Sequence, residues 1–194
     1  AVARCISDFY GDDPRRSPDY ARIVNGAHLR RLEEYLTDGT VVAGGEVDPD
    51  DCYMAPTVLR EVADDAAVMR DEIFGPVLPV IGVDSVADAI GRVNAADRPL
   101  ALYVFSRSRS AVDRVLAETT SGGACVNHVI YQVTAPQLPF GGVGPSGMGA
   151  YHGRTGFDTF SHQRPVMHKA AWADPPVAYP PFTDLKKSII RRFL

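Results

Sequence analysis

The chain has 194 residues, of which 45% are hydrophobic and 23% charged, and its formal net charge is -4; this is the composition of an ordinary globular protein and excludes a fibrous repeat or a largely disordered chain. That charge balance offers no basic footprint for a nucleic-acid backbone, so no binding to DNA or RNA is expected. Cys5, Cys52 and Cys125 form no Cys-x-x-Cys pair and leave an odd thiol, which suggests neither a disulfide framework nor a zinc site, and no metal site is expected. The length suits one domain with a tail. No apolar run approaches the roughly 18 residues of a membrane span, and Ala1 to Phe9 lacks the pattern of a signal peptide. The expectation is a cytoplasmic protein, and a first residue that is alanine rather than methionine hints at sequence removed upstream.

In chain order, residues 1–10 read as the end of a helix stopped by Gly11, with Asp12-Asp13-Pro14 as the turn beyond it. Ile23, Leu29, Leu32 and Leu36 predict a helix ending near Gly39, and Val41 and Val42 begin a strand closed by Gly44-Gly45. Tyr53 to Val62 alternates loosely, and Pro56 marks it as an edge or irregular strand. Val77 to Val83 is the first strongly apolar strand. Ser85 is a candidate N-cap with Asp88 three residues on, and Val86, Ala89, Ile90 and Val93 form one helical face. Leu100 to Phe105 is a continuous apolar run that suits a strand covered on both faces. A helix follows from about Ser110, with Val112, Val115 and Leu116 facing inward, and Gly122-Gly123 leads into a third strand, Ala124 to Asn127. Strand, helix, strand, helix, strand predicts two successive βαβ crossovers and therefore an α/β fold with a mostly parallel sheet. Phe157 to His168 reads as a long alternating strand, Trp172 to Pro181 as extended proline-rich chain, and 182–194 as a short basic amphipathic segment. In that segment Leu185, Ile189, Ile190 and Phe193 oppose Lys186, Lys187, Arg191 and Arg192.

Two stretches carry chemical information. In Asp71-Glu72-Ile73-Phe74-Gly75-Pro76-Val77, a glycine-proline break stops any preceding helix and forces a turn. A turn of that kind can hold Glu72 and Phe74 in fixed directions at the mouth of a sheet. A carboxylate so placed can accept hydrogen bonds from two vicinal hydroxyls, as on a ribose, and a neighbouring ring can lie against a planar heterocycle. The plainer reading is a surface glutamate followed by a core phenylalanine. The second stretch runs Leu138-Pro139-Phe140-Gly141-Gly142-Val143-Gly144-Pro145-Ser146-Gly147-Met148-Gly149-Ala150-Tyr151-His152-Gly153. Gly142, Gly144 and Gly147 have the Gly-x-Gly-x-x-Gly spacing of a dinucleotide fingerprint, yet the strand before, the helix after and the acidic residue about 20 positions on are missing, so the match is rejected. These glycines read instead as backbone passing close to something, with Phe140 either an apolar wall or simple core packing. His128, Tyr151 and His152 have no partner nameable from sequence, and no catalytic residue is assigned.

Together the two stretches resemble the aldehyde dehydrogenase superfamily, and most closely its class 3 branch, which also carries Ser-Pro-Asp-Tyr, here Ser17 to Tyr20, and Phe-Asp-Thr-Phe-Ser-His, here Phe157 to His162. The resemblance runs from about Phe9 to about Lys169 and matches only the carboxyl-terminal part of a complete member. Residues 1–169 are then part of the family's catalytic domain and 170–194 a tail. The resemblance implies an NAD- or NADP-dependent oxidation of a fatty or aromatic aldehyde. Glu72 would bind the ribose hydroxyls on the nicotinamide side of the cofactor, Phe74 would contact the nicotinamide region, and Phe140 would line the substrate funnel. Residues 157–168 would be the strand that pairs with a neighbouring subunit, which implies a homo-oligomer, and Asn127 would tie loops together. The family's nucleophilic cysteine, general base and dinucleotide-binding domain precede the matched region, and Cys5, Cys52 and Cys125 stand outside the nucleophile's motif. The isolated chain is therefore expected to be inactive, holding an incomplete cofactor site. The alternative is a non-catalytic binding or assembly module that retains the fold. The tail is expected to pack on the body or a partner subunit, or to make weak contact with a membrane surface.

Overall fold

A computed structural model describes residues 1–193, in two compact units, one from Ala1 to Arg92 and the other from Val93 onward.

The first unit opens with α1 (Val2–Tyr10), ended by Gly11 in a positive-φ conformation whose N–H donates to Ser7 O. A 3-10 turn at Pro14–Arg16 follows, closed by the Asp13 side chain, which accepts from Arg15 N. Helix α2 (Gly26–Glu34) is capped by Asn25, whose side chain accepts from His28 N at 3.0 Å, satisfying one of the donors that a helix start leaves unpaired. Strands β1 (Thr40–Ala43), β4 (Thr57–Arg60) and β5 (Val77–Pro79) form a sheet in the order β1-β4-β5, antiparallel at the first pair and parallel at the second. A small antiparallel ribbon joins β2 (Val47–Asp48) to β3 (Tyr53–Met54).

The segment from Tyr53 to Val62 is thus irregular, as one expectation had it, yet part of it is a central strand, which that expectation excluded. It breaks at Pro56 into β3 and β4, and β4 is the central strand of its sheet. Proline there costs no ladder hydrogen bond, because it stands between the strands and the first donor used is Thr57 N, which reaches Pro76 O at 2.7 Å. Against this sheet α2 and the short helix α3 (Ala67–Arg70) contribute a core of Leu29, Leu32, Tyr35, Met54, Leu59, Val62, Val68 and Val77. Fully burying each of the larger apolar side chains contributes roughly 1.5–3 kcal/mol, so this cluster is the main stabiliser of the unit. A second knot joins Tyr20 to Tyr10 and Tyr53 edge to face. The Tyr20 hydroxyl donates to Met54 O at 2.7 Å, and burial, then the neighbouring Tyr53 and Tyr10, hold the Tyr20 phenol above its ordinary range.

Helix α4 (Val86–Ala95) spans the division between the units. Its start is the predicted one: Ser85 Oγ accepts from Asp88 N at 3.1 Å, and the Asp88 carboxylate reaches back to Asp84 N at 3.2 Å, a reciprocal arrangement of the capping-box kind. Beyond it β6 (Ala101–Val104), α5 (Arg109–Glu118) and β7 (Gly123–Val126) make one βαβ crossover with β6 and β7 parallel. The second expected crossover is therefore present. The first is not a paired unit among the described residues: β5 takes β4 as its parallel neighbour, and β5 and β6 belong to different sheets. The fold class is α/β with parallel strand pairs, as expected. The run from Leu100 to Phe105 is not covered on both faces, since Val104 is buried while Leu100, Tyr103 and Phe105 are exposed.

The rest of the second unit is short helices and loop: α6 (Tyr131–Thr134), α7 (Gly153–Thr159), a 3-10 turn at Pro176–Ala178, and α8 (Asp184–Phe193). The long strand expected over residues 157–168 is absent from the described residues. Its first part lies in α7, and 162–170 has no regular structure. The competing helical signal is local: Arg154 pairs with Asp158 one turn on at 2.9 Å and lies over the Phe157 ring, contacts that only a helix makes at those spacings. A strand, by contrast, exists only through ladder bonds to a neighbour, and this segment has none within the described residues.

Candidate functional site

The loop between α3 and β5 is built around alternation of side-chain direction. Ile73 packs against the first unit's core, whereas Glu72 and Phe74 on either side of it are exposed. Phe74 has φ 46 and is 77% exposed, so the backbone turns outward at the residue where the core reading would bury a ring. The plainer alternative, a core phenylalanine, is thereby excluded. Gly75 follows in a tight place: a Cβ there would stand 2.5 Å from both Leu32 methyl carbons, and Leu32 is fully buried.

The backbone of this loop is held from α2. Arg31 Nη2 donates to Ile73 O at 2.7 Å and Nη1 to Glu72 O at 3.3 Å. Nη1 also donates to the Tyr35 hydroxyl at 2.7 Å, which in turn donates to the Asp71 carboxylate at 3.1 Å. The Arg31 guanidinium lies over the Tyr35 ring. Beneath, the Asp38 carboxylate accepts from Val68 N at 2.8 Å and anchors the start of α3. Among the described residues the Glu72 side chain makes no ion pair or hydrogen bond. A carboxylate with unused acceptor capacity and an exposed ring, both on a fixed backbone, suit a vicinal diol carrying a planar heterocycle. Sequence reasoning found Glu72 and Phe74 but not Arg31, Tyr35 or Asp71. The four-residue spacing of Arg31 and Tyr35 on one helix face was visible, while their partners at 71–73 are joined to them only by the tertiary fold.

Phe140 lies in a different unit from Glu72 and Phe74. It is held by a two-way backbone bridge to Tyr151, N–H to O at 2.9 Å in each direction, with its ring edge-on to Tyr151 and stacked against His152. The glycine segment between closes into a tight turn where Gly147 N donates to Gly144 O at 3.1 Å, and a Cβ at Gly142 would collide with Ser146 O. This is the irregular, close-passing loop that rejection of the dinucleotide fingerprint predicts. Phe140 is half-buried, between the two readings of it, wall and core. Asn127 ties loops: its amide accepts from Ser106 N at 2.8 Å and donates to Ser106 O at 3.1 Å. His128 Nδ1 is engaged by the Val129 backbone and its ring stacks on Tyr131, a satisfied structural role. His152 Nδ1 is buried and has no hydrogen-bond partner among the described residues. Cys5, Cys52 and Cys125 are all free thiols.

A family model described as the aldehyde dehydrogenase family matches residues 6–166. The chain is 47% identical over 195 residues to aldehyde dehydrogenase family 3 member A2 of Mus musculus, a match that covers 100% of this chain and 40% of the mouse protein. It is 44% identical to the Rattus norvegicus protein named aldehyde dehydrogenase, dimeric NADP-preferring, with 92% of this chain and 42% of the rat protein covered. Among solved structures, the substrate-bound state of Staphylococcus aureus AldH is similar at a TM-score of 0.83 and 40% identity, over 100% of this chain and 43% of that one. The chain thus spans about 40% of the length of the curated relatives it matches. The family model, the family 3 relatives and the shared fold agree with the motifs at 71–76 and 138–153, and the chain belongs to the aldehyde dehydrogenase family.

Proposed function

We propose that this chain contributes the carboxyl-terminal portion of an active centre that oxidises a fatty or aromatic aldehyde to the carboxylic acid with NAD or NADP. The observation that carries this reading is the 71–75 loop, whose backbone is fixed while the Glu72 carboxylate and the Phe74 ring remain exposed. Glu72 accepts from the ribose hydroxyls on the nicotinamide side, and Phe74 lies beside the nicotinamide region. When bound, the dinucleotide supplies the hydride acceptor. Phe140 walls the route of the aldehyde, its ring direction set by the bridge to Tyr151. The nucleophile is supplied from outside this chain, because Cys5, Cys52 and Cys125 stand outside the motif that carries the family's nucleophilic cysteine. A homo-oligomer is part of the proposal and draws on the word dimeric in the rat relative's name. A cytoplasmic setting is also part of it and draws on the free thiols.

The test is steady-state turnover by the polypeptide as it occurs in its source cell. Glu72→Gln is expected to raise the KM for NAD(P) roughly tenfold or more while kcat changes less, and the 194-residue chain alone is expected to reduce no NAD(P) in the presence of aldehyde. Unchanged kinetics in Glu72→Gln would sink the assignment of Glu72. A source protein of 21.0 kDa with no turnover would replace the enzyme by a non-catalytic assembly module, and turnover by that 21.0 kDa chain would place the nucleophile among Cys5, Cys52 and Cys125.

A further inference from the structure

The proposed cofactor contacts, Glu72 and Phe74, depend on a short loop that no helix or strand contains, and it is gripped at three successive residues, by the side chain of Asp71 and the backbone of Glu72 and Ile73. The Glu72 and Ile73 carbonyls both accept from the Arg31 guanidinium, and the Asp71 carboxylate accepts from Tyr35, which Arg31 also contacts. The Tyr35 ring is buried and lies under the guanidinium at 5.4 Å, so the fork is held in plane before any ligand arrives.

We infer that Arg31, with Tyr35 and Asp71, is a positioning residue for the nicotinamide-side cofactor contacts: it touches no ligand and acts by fixing the direction in which Glu72 and Phe74 leave the backbone. This inference rests on the assignment of Glu72 and Phe74 proposed above. Three features of the loop separate this role from plain stabilisation. The loop lies at the surface, with Asp71, Glu72, Phe74 and Gly75 exposed and only Ile73 half-buried, so water can replace Arg31 at the exposed Glu72 carbonyl, and part of the loss falls on direction rather than on folding. The grip is bidentate across adjacent peptide units, a geometry that a planar guanidinium fork provides and a lysine ammonium does not. Its positive charge is spent on carbonyls, a phenol and, through that phenol, Asp71, which leaves the Glu72 carboxylate without a competing cation among the described residues. A group held in direction before binding loses less freedom when the ligand arrives, and that difference appears as affinity.

The experiment compares Arg31→Lys, Arg31→Met and Tyr35→Phe with wild type in the intact polypeptide, and repeats the Arg31→Met substitution on a Glu72→Gln background. Expected are a rise in the KM for NAD(P) of about tenfold in Arg31→Met with kcat and the KM for aldehyde within about twofold, no rescue by lysine, and a smaller rise in Tyr35→Phe. On the Glu72→Gln background the effect of Arg31→Met is expected to shrink, because residues acting through one another are non-additive. Limited proteolysis at residues 71–75 of the intact polypeptide should quicken in the same variants. Folded Arg31 variants with wild-type KM for NAD(P), or full rescue by lysine, would overturn the inference. Should Arg31→Met fail to fold, Tyr35→Phe decides it, since the ring stays packed and only one hydroxyl is lost. If Glu72→Gln itself leaves KM unchanged while cleavage at 71–75 still quickens in the Arg31 variants, the cofactor assignment fails and the grip on the loop stands.

Discussion

Gly75 shows how one missing side chain sets a site. It lies between the exposed Phe74 and the β5 approach, and a Cβ added there would stand 2.5 Å from both Leu32 methyl carbons. Leu32 is fully buried in the core formed with Leu29, Leu59 and Val77, so room for an added Cβ has to come from a shift of its side chain against those neighbours. Gly75→Ala is therefore expected to destabilise the first unit by about 1–3 kcal/mol, the usual cost of overpacking a filled core. Urea unfolding followed at that unit checks this, and an unshifted midpoint would show that the loop moves away instead. The same residues explain what was and was not legible. The Gly-Pro break and the outward carboxylate were readable at 71–76, because they are local backbone chemistry. The outward turn of Phe74 was not, since an aromatic before glycine reads equally as core, and only the placement of Ile73 and Leu32 decides which neighbour goes inside.

At the scale of elements, Asn127 joins the connection after β6 to the connection after β7 through both ends of its amide on Ser106. It also sits at φ 57, a left-handed conformation that asparagine tolerates and most residues do not. Asn127→Ala loses both bonds and keeps the unfavourable φ, so a loss of about 1–3 kcal/mol is expected, with faster amide exchange at Ser106. Thermal melting and exchange at that amide check it, and exchange unchanged from wild type would mean that the Asn127 N–H bond to Val104 O holds the loops alone. The two parallel strands themselves were predictable, because β6 and β7 are apolar runs flanking a helix that begins with a capping serine, Ser108. The partner of β5 was not predictable. Chain order favours sequential pairing, and the choice of β4 follows from Pro76 O meeting Thr57 N and from Leu59 O meeting Val80 N.

For the whole molecule, the tail is one of the apolar surfaces left exposed among the described residues. Helix α8 exposes Leu185, Ile189 and Phe193, and its basic residues include Arg191 and Arg192 in the last turn, a short basic amphipathic helix of the kind that lies in a lipid interface. Among the described residues no helix is long and apolar enough to cross a membrane, and we propose for the tail a weak, peripheral contact with an anionic lipid surface. The chain is expected to cosediment with phosphatidylserine vesicles at low salt, to be released as salt rises, and to lose binding when Lys186, Lys187, Arg191 and Arg192 are replaced by glutamine. Equal binding to neutral phosphatidylcholine vesicles, or none to either, would assign the apolar face to packing against protein instead.

The sequence by itself determined the α/β class, the family, the positions of α1, α2, α4 and α5 and the identity of Glu72, Phe74 and Phe140 as the residues to examine. Those properties follow from periodicity, turn chemistry and short motifs, all of which act over a few positions. The tertiary structure decided which strands pair, that residues 153–159 form a helix where an alternating strand was expected, and that Arg31 and Tyr35 hold the loop at 71–73. Those outcomes depend on groups far apart in the chain, and hydrogen bonds between such groups leave no local pattern to read.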